Sequence, residues 1–290
     1  MKIIENNYRI EHCPLCSSKT IYKTGDLKYA NELYLSTIRI QLTQQPELWE
    51  CKLCQSSFTQ NAIPPQIAEE LYSIGEGSKR WANQSFETDK TDAVINYFKK
   101  NKSFRNKKLL DVGCNTGEFL DFASSFQMQT YGLEICKESC TILKQKGHIA
   151  FQSFRDVNET FDIVTAFDVF EHLYDVKGFL SFVSNILKPS GLFILLTGNP
   201  NSFAAKLSRE RWWYCNYPEH VIYPSKKYFH QLTGFFVKQI ILTYASKTHQ
   251  SKRDSMEWIS LIRQILKKQY NGLPAISSDH QLVILQKNIA

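Results

Sequence analysis

No stretch of the 290 residues approaches the roughly 20 consecutive apolar residues that a membrane-spanning helix requires. The opening residues, Met-Lys-Ile-Ile-Glu-Asn-Asn-Tyr-Arg-Ile, lack the apolar centre of a secretory leader. Internal repeats and low-complexity tracts are missing too. Acid is in short supply: 28 Asp and Glu stand against 35 Lys and Arg, a formal charge of +7. The expectation is a cytoplasmic protein of ordinary globular composition, long enough for one large domain and a small one.

What is present in unusual arrangement is cysteine. Of eight, four fall in two C-x2-C pairs, Cys13-Pro-Leu-Cys16 and Cys51-Lys-Leu-Cys54. Each pair presents two thiolates from one turn, and two such turns complete a tetrahedral zinc site. Disulfides are the poorer explanation in a reducing cytosol, and a redox motif needs only one pair. The flanking aromatic strands, Ile21-Tyr22 and Leu48-Trp49-Glu50, suit a zinc ribbon. With all four positions filled by sulfur, a Zn²⁺ held by Cys13, Cys16, Cys51 and Cys54 has a structural role and no open coordination site.

The most informative segment is Leu109-Leu-Asp-Val-Gly-Cys-Asn-Thr-Gly-Glu-Phe-Leu120. An apolar run ends in Asp111, a turn carries Gly113 and Gly117, and an amphipathic helix opens at Glu118. A strand, a tight turn and a helix start let backbone amides approach a nucleotide-like ligand. On its own, such a turn also serves plain strand-to-helix geometry. Three further segments follow in order. Tyr131-Gly-Leu-Glu-Ile135 reads as a second strand, placing Glu134 where a carboxylate bonds ribose hydroxyls in a dinucleotide-type unit. Phe161 to Leu173 gives a buried-type strand and then Asp168-Val-Phe-Glu-His172. Leu187-Lys-Pro-Ser-Gly191 gives a helix end and a Pro-Gly turn, and Leu192 to Leu196 another apolar strand.

On these residues the sequence resembles the class I S-adenosylmethionine (SAM) dependent methyltransferases, over about residues 85 to 290. The resemblance implies that Asp111, Gly113, Asn115 and Gly117 shape the pocket for the methionine portion of SAM, that Glu134 holds the ribose, and that Asp168 lies beside the methionine end. Asn115 stands where the family often has glycine, and asparagine tolerates a left-handed backbone. Many members carry an acid after the third strand to hold adenine. Here that region reads Phe151-Gln-Ser-Phe154, which leaves Ser153 or a backbone group for the task.

Two histidines are candidates for proton removal from an acceptor. His172 follows the fourth strand; its bland alternative is to cap or buttress the next helix. His220 lies in Arg211-Trp-Trp-Tyr-Cys-Asn-Tyr-Pro-Glu-His-Val221, and looks like part of the acceptor-facing loop of small-molecule members. Its bland alternative is to pin that loop through a backbone carbonyl. Three successive aromatics at 212 to 214 cannot all face inward on one element.

The positive charge invites a nucleic-acid partner, but its placement argues otherwise. Tyr97 to Lys108 holds six basic residues and no acid, yet it precedes the first central strand and so lies opposite a cofactor cleft. A second basic zone runs from Lys247 to Lys268. The resulting expectation is a Rossmann-like, doubly wound α/β sheet of about seven strands over 86–290, a linker with a short helix at 63–85, and a zinc-ribbon module at 1–62. The expected activity is SAM-dependent methyl transfer to a small-molecule or glycan acceptor, a sugar or quinone-like hydroxyl. The alternatives are an rRNA or tRNA methyltransferase whose ribbon grips RNA, and a non-catalytic SAM-fold binding protein. The linker is expected to carry a helix at Gln66 to Ser73, and further helices are expected at Thr91 to Lys100 and Ser255 to Lys268. Phe235 to Tyr244 and Gln281 to Gln286 read as terminal strands, and Thr197 to Pro224 as irregular.

Overall fold

The computed structural model describes residues 1–27, 33–75, 86, 88, 90–243 and 278–288. The expected helix at 255–268 and the second basic zone lie outside the described residues.

The central sheet is built from apolar runs. Strands β7 (Lys108–Val112), β8 (Gln129–Leu133), β9 (Ile149–Phe151), β10 (Phe161–Phe167) and β11 (Leu187–Gly198) are joined by β13 (Phe235–Thr243) and β14 (His280–Lys287). They pair in the order β13-β14-β11-β10-β7-β8-β9. The first five run parallel, and β14 is antiparallel to both β11 and β13. Successive residues point to opposite faces, and the two faces fill separate cores. Leu109, Ile163, Leu282 and Ile284 pack in one cluster with Phe98 and Phe119. Leu110, Val164, Val283 and Leu285 pack in the other with Phe179 and Val183. This is the doubly wound, Rossmann-like sheet expected. Because β8 and β9 lie to one side of β7 and β10 and β11 to the other, the winding reverses between β7 and β10. A crevice opens at the carboxyl ends of the strands there.

Helices flank this sheet. The linker helix α1 (Pro65–Ile74) starts on a proline, whose missing N–H is no loss in a first turn. Helix α2 (Asp92–Lys100) buries Val94, Ile95 and Phe98. Helices α3 (Glu118–Ser124), α4 (Lys137–Gln145) and α5 (Val176–Ile186) follow β7, β8 and β10. Asp175 caps α5 by accepting from the Gly178 amide at 2.8 Å.

Among the described residues of the first sixty are six strands. β1 (Lys2–Ile4), β4 (Ile38–Leu42) and β3 (Leu33–Leu35) make one sheet, ordered β1-β4-β3. β2 (Ile21–Asp26), β5 (Glu47–Cys51) and β6 (Ser57–Gln60) belong to another, whose fourth strand, β12 (Ile222–Tyr223), comes from far along the chain. Ile222 pairs with Phe58 and Tyr223 with Ser57. The boundary at 62 read from sequence is therefore crossed by a shared sheet. Further ties are Ile63 N–H to the Tyr217 hydroxyl at 3.1 Å and the Ser225 amide to Ser56 Oγ at 2.9 Å. Cys13, Cys51, Cys54 and Phe58 share one apolar cluster with the central sheet.

Two local expectations are corrected. The stretch from Thr197 to Pro224 is not irregular throughout. It holds α6 (Phe203–Ser208), a 3-10 turn at Arg209–Arg211, and β12. Pro189 does not separate helix from strand: β11 begins at Leu187 and carries Lys188 to Gly191 in a bulge, with Phe161 opposite Leu187 but Ile163 opposite Leu192. A bulge is where a ladder accepts proline. A last short helix, α7 (Lys226–Phe229), is capped by Ser225.

Candidate functional site

The loop after β7 is shaped by three left-handed residues, with φ of 68° at Gly113, 49° at Asn115 and 86° at Gly117. Asparagine at 115 adopts the backbone that glycine usually supplies. A Cβ on Gly113 would come within 2.5 Å of Val169 Cγ2, and one on Gly117 within 2.5 Å of Leu143 Cδ2. Handedness and packing both demand glycine there. Glu134, just past β8, fastens this loop. Its carboxylate accepts from the amides of Asn115 and Cys136, each at 3.0 Å. Burial raises the Glu134 pKa and these amides restrain the rise. Asp111 at the end of β7 accepts from Thr165 Oγ1 at 2.6 Å, and burial pushes its carboxyl up to about 7. Ser153, the alternative for adenine, accepts from the Arg155 amide and caps the 3-10 turn Phe154–Asp156, with Asp156 reciprocating on the Ser153 amide.

Beyond β10, Asp168 is held at φ 53° and paired with Lys90. Burial opposes its ionisation, but the Lys90 ammonium and His280 keep its pKa low. Its Oδ1 and both ring nitrogens of His280 have no hydrogen-bond partner among the described residues. His280 opens β14 opposite Gly198, and so stands at the same edge of the sheet as the glycine loop.

Glu171, His172 and His220 bring one potential ligand or proton-carrying atom each within 4.8 Å. Glu171 is fully buried and accepts from the Tyr214 hydroxyl and from Thr197 Oγ1. His172 directs Nδ1 at the Glu219 carbonyl at 2.8 Å, with the Tyr72 hydroxyl of α1 at 3.2 Å. It buttresses the Glu219–His220 turn and does not cap α5. His220 directs Nδ1 at the Tyr214 carbonyl at 2.7 Å. A carbonyl only accepts, so Nδ1 is the donor in both rings. The two imidazoles lie 4.9 Å apart, edge to face. Burial, and then His172, depress the His220 pKa to about 3. Pinning of the loop by His220 and availability of its Nε2 are thus compatible.

The four cysteines lie apart from this edge. Cys13 and Cys54 sulfurs are 3.7 Å apart, and those of Cys16 and Cys51 3.6 Å. All four are free thiols within 4.8 Å of one another. Four thiolates about 2.3 Å from a zinc ion lie about 3.8 Å from each other, so the donor set fits that ion. The two knuckles share one hydrogen-bond pattern. Ser17 and Gln55, with φ of 62° and 60°, donate to the carbonyls of Cys13 and Cys51, whose own amides donate to Ser18 and Ser56.

A family model described as a methyltransferase domain matches residues 84–234. The chain belongs to the methyltransferase domain family. Among relatives, a ubiquinone biosynthesis O-methyltransferase from Bradyrhizobium sp. (strain ORS 278) is 32% identical over 128 residues, 39% of this chain and 51% of that protein. One from Rhodopseudomonas palustris (strain TIE-1) is 31% identical over 129 residues, again 39% and 51%. The chain spans about half the length of the curated relatives it matches. Among solved structures, magnesium protoporphyrin IX methyltransferase from Synechocystis PCC 6803 with bound SAM aligns with 77% of this chain and 96% of its own, at 13% identity and a TM-score of 0.49.

Within this methyltransferase domain the sequence singles out the glycine loop, Glu134, Asp168, His172 and His220. It does not single out Glu171, Tyr72, Lys90, Tyr214 or His280. An acid inside the apolar Val169-Phe-Glu stretch is a local signal for Glu171. Tyr72, Lys90 and His280 arrive from distant segments and carry none.

Proposed function

We propose that the chain is a SAM-dependent methyltransferase acting on a hydroxyl of a small-molecule or glycan acceptor. The observation that carries this reading is the gathering, at one edge of a doubly wound sheet, of the left-handed glycine loop, Glu134 and two histidines whose Nδ1 atoms are held by backbone carbonyls. The cofactor would supply an activated methyl group. Asp111, Gly113, Asn115 and Gly117 would shape the pocket for its methionine portion, Glu134 would accept from ribose hydroxyls, and Asp168, with an unpartnered Oδ1, would face the methionine end. His220 would accept from the acceptor hydroxyl on Nε2 and take its proton as methyl transfer acidifies the oxygen, its Nδ1–H fixed by the Tyr214 carbonyl, and His172 would hold the Glu219–His220 turn. The quinone-type relatives favour a phenolic hydroxyl among acceptors. Four thiolates with nothing left to coordinate support a structural Zn²⁺ in the N-terminal module.

RNA as acceptor draws no support from charge placement. Lys107 and Lys108 pair with Asp162 and Glu159 at the start of the central strands, the edge opposite the glycine loop.

The test is SAM consumption against polyphenolic quinone precursors, nucleotide sugars and stripped RNA. His220→Ala should lower turnover by about a hundredfold or more while S-adenosylhomocysteine affinity stays the same. Full turnover in the variant removes His220 as the base, and absence of cofactor binding in the parent overturns the reading as a whole.

A further inference from the structure

A cleft of about 360 Å³ opens on the far side of the aromatic segment 212–214, between β2 and β5 of the cysteine module and the stretch from α6 to Arg211. Four charged side chains line it: Lys23, Glu50, Lys206 and Arg209. Lys23 is committed, to Asp26 at 2.7 Å and Glu47 at 2.8 Å. Glu50 sits against the Tyr22 hydroxyl. Lys206 and Arg209 are exposed and have no ion pair among the described residues. The cleft therefore offers two uncommitted cations against one engaged carboxylate. Arg209 holds a φ of 50°, a backbone state that side chains other than glycine and asparagine rarely keep without cause.

The remaining walls mix polar side chains, among them Thr24, Gln55 and Asn201, with apolar ones. Tyr22 lines one side and Trp212 another. Trp212 is 4% exposed, and its indole N–H has no hydrogen-bond partner among the described residues. Its ring lies 5.1 Å from that of Tyr214, which lies 4.4 Å from His220. One aromatic layer thus separates the cleft from the histidine pair. The volume falls in the range of small-molecule sites, roughly 300 to 1,000 Å³. Two aromatic rings in a mixed wall, with cations at the rim, suit a ring that bears a negative group.

We propose that this cleft is a second small-molecule site, taking a phosphorylated ring compound between Tyr22 and Trp212 with its anion on Lys206 and Arg209. This proposal does not depend on the methyl-transfer reading, because its test is binding.

The experiment is calorimetric titration of the full chain with phenyl phosphate, phenol and inorganic phosphate, repeated in Lys206→Glu/Arg209→Glu and in Lys206→Gln/Arg209→Gln. Phenyl phosphate should bind saturably and tighter than either fragment. The charge-reversed variant should weaken it by about tenfold or more, the loss of a charge-assisted contact, and the neutral variant by less. Added salt should weaken it in the parent. The unfolding temperature, measured in parallel, reports that the variants are folded and should not change. No saturable binding of phenyl phosphate, equal affinity in the charge-reversed variant, or tighter binding of phenol overturns the proposal.

Discussion

Asp111 carries its carboxyl in a place that disfavours charge. It is 4% exposed, its carboxylate accepts from the Thr165 hydroxyl, and burial lifts its pKa from the ordinary 3.8 to about 7. A folded-state value raised above the unfolded one gives stability that is complete below the unfolded pKa and is lost as pH rises through about 7. Over that window the loss reaches roughly 4 kcal/mol. A carboxamide at this position, with no proton to release, should escape it. The unfolding temperature of cofactor-free Asp111→Asn should therefore gain on the parent between about pH 5 and pH 8; parallel curves would contradict the buried acid. Gly113 makes a separate demand. Gly113→Ala should cost about 2–3 kcal/mol, from its φ of 68° and the contact with Val169. Adding Val169→Ala should recover part of this in denaturant titrations, because only the contact is relieved.

Among elements, those that were legible in sequence are the ones whose pattern is their own. The runs at 109–112, 161–167 and 192–196 are apolar enough to be strands wherever they lie, and Thr91 to Lys100 places its apolar residues on one side. The paired knuckles are equally readable, since spacing alone puts two sulfurs on each turn. β12 shows the opposite case. Two residues, Ile222 and Tyr223, become a strand only because β6 offers its edge, a partner no local window contains. The bulge that accepts Pro189 likewise depends on the neighbouring strand β10. In the site, Glu134 was legible by its distance from the glycine turn, whereas Lys90 and His280 meet Asp168 only through the fold. Ser225 belongs to this scale too, since its hydroxyl donates to the Cys54 carbonyl and accepts from the Tyr228 amide. Ser225→Ala should cost about 1–3 kcal/mol and hasten metal loss to a chelator. An unchanged rate of loss would mean that the knuckle stands without this support.

For the molecule as a whole, the cysteine module and the central sheet share one apolar cluster and one β-sheet, so they should melt together. With the proposed zinc in place, its removal by a chelator, or Cys51→Ser, should lower the single unfolding temperature by about 10 °C or more. A small early transition that leaves the main one in place would instead separate the two parts. The placement of charge also belongs at this scale. The basic run before β7 is partly neutralised by Asp162 and Glu159, and faces away from the histidine edge.

The pairing of β6 with β12 has a consequence during synthesis. Ser56 waits for Ser225, 169 positions downstream, while ribosomes extend a chain at roughly 5–20 residues per second. For many seconds, the nascent knuckles have emerged with their sheet one strand short. Thiols in that interval are open to oxidation, and the sheet that backs them is completed only by residues made much later.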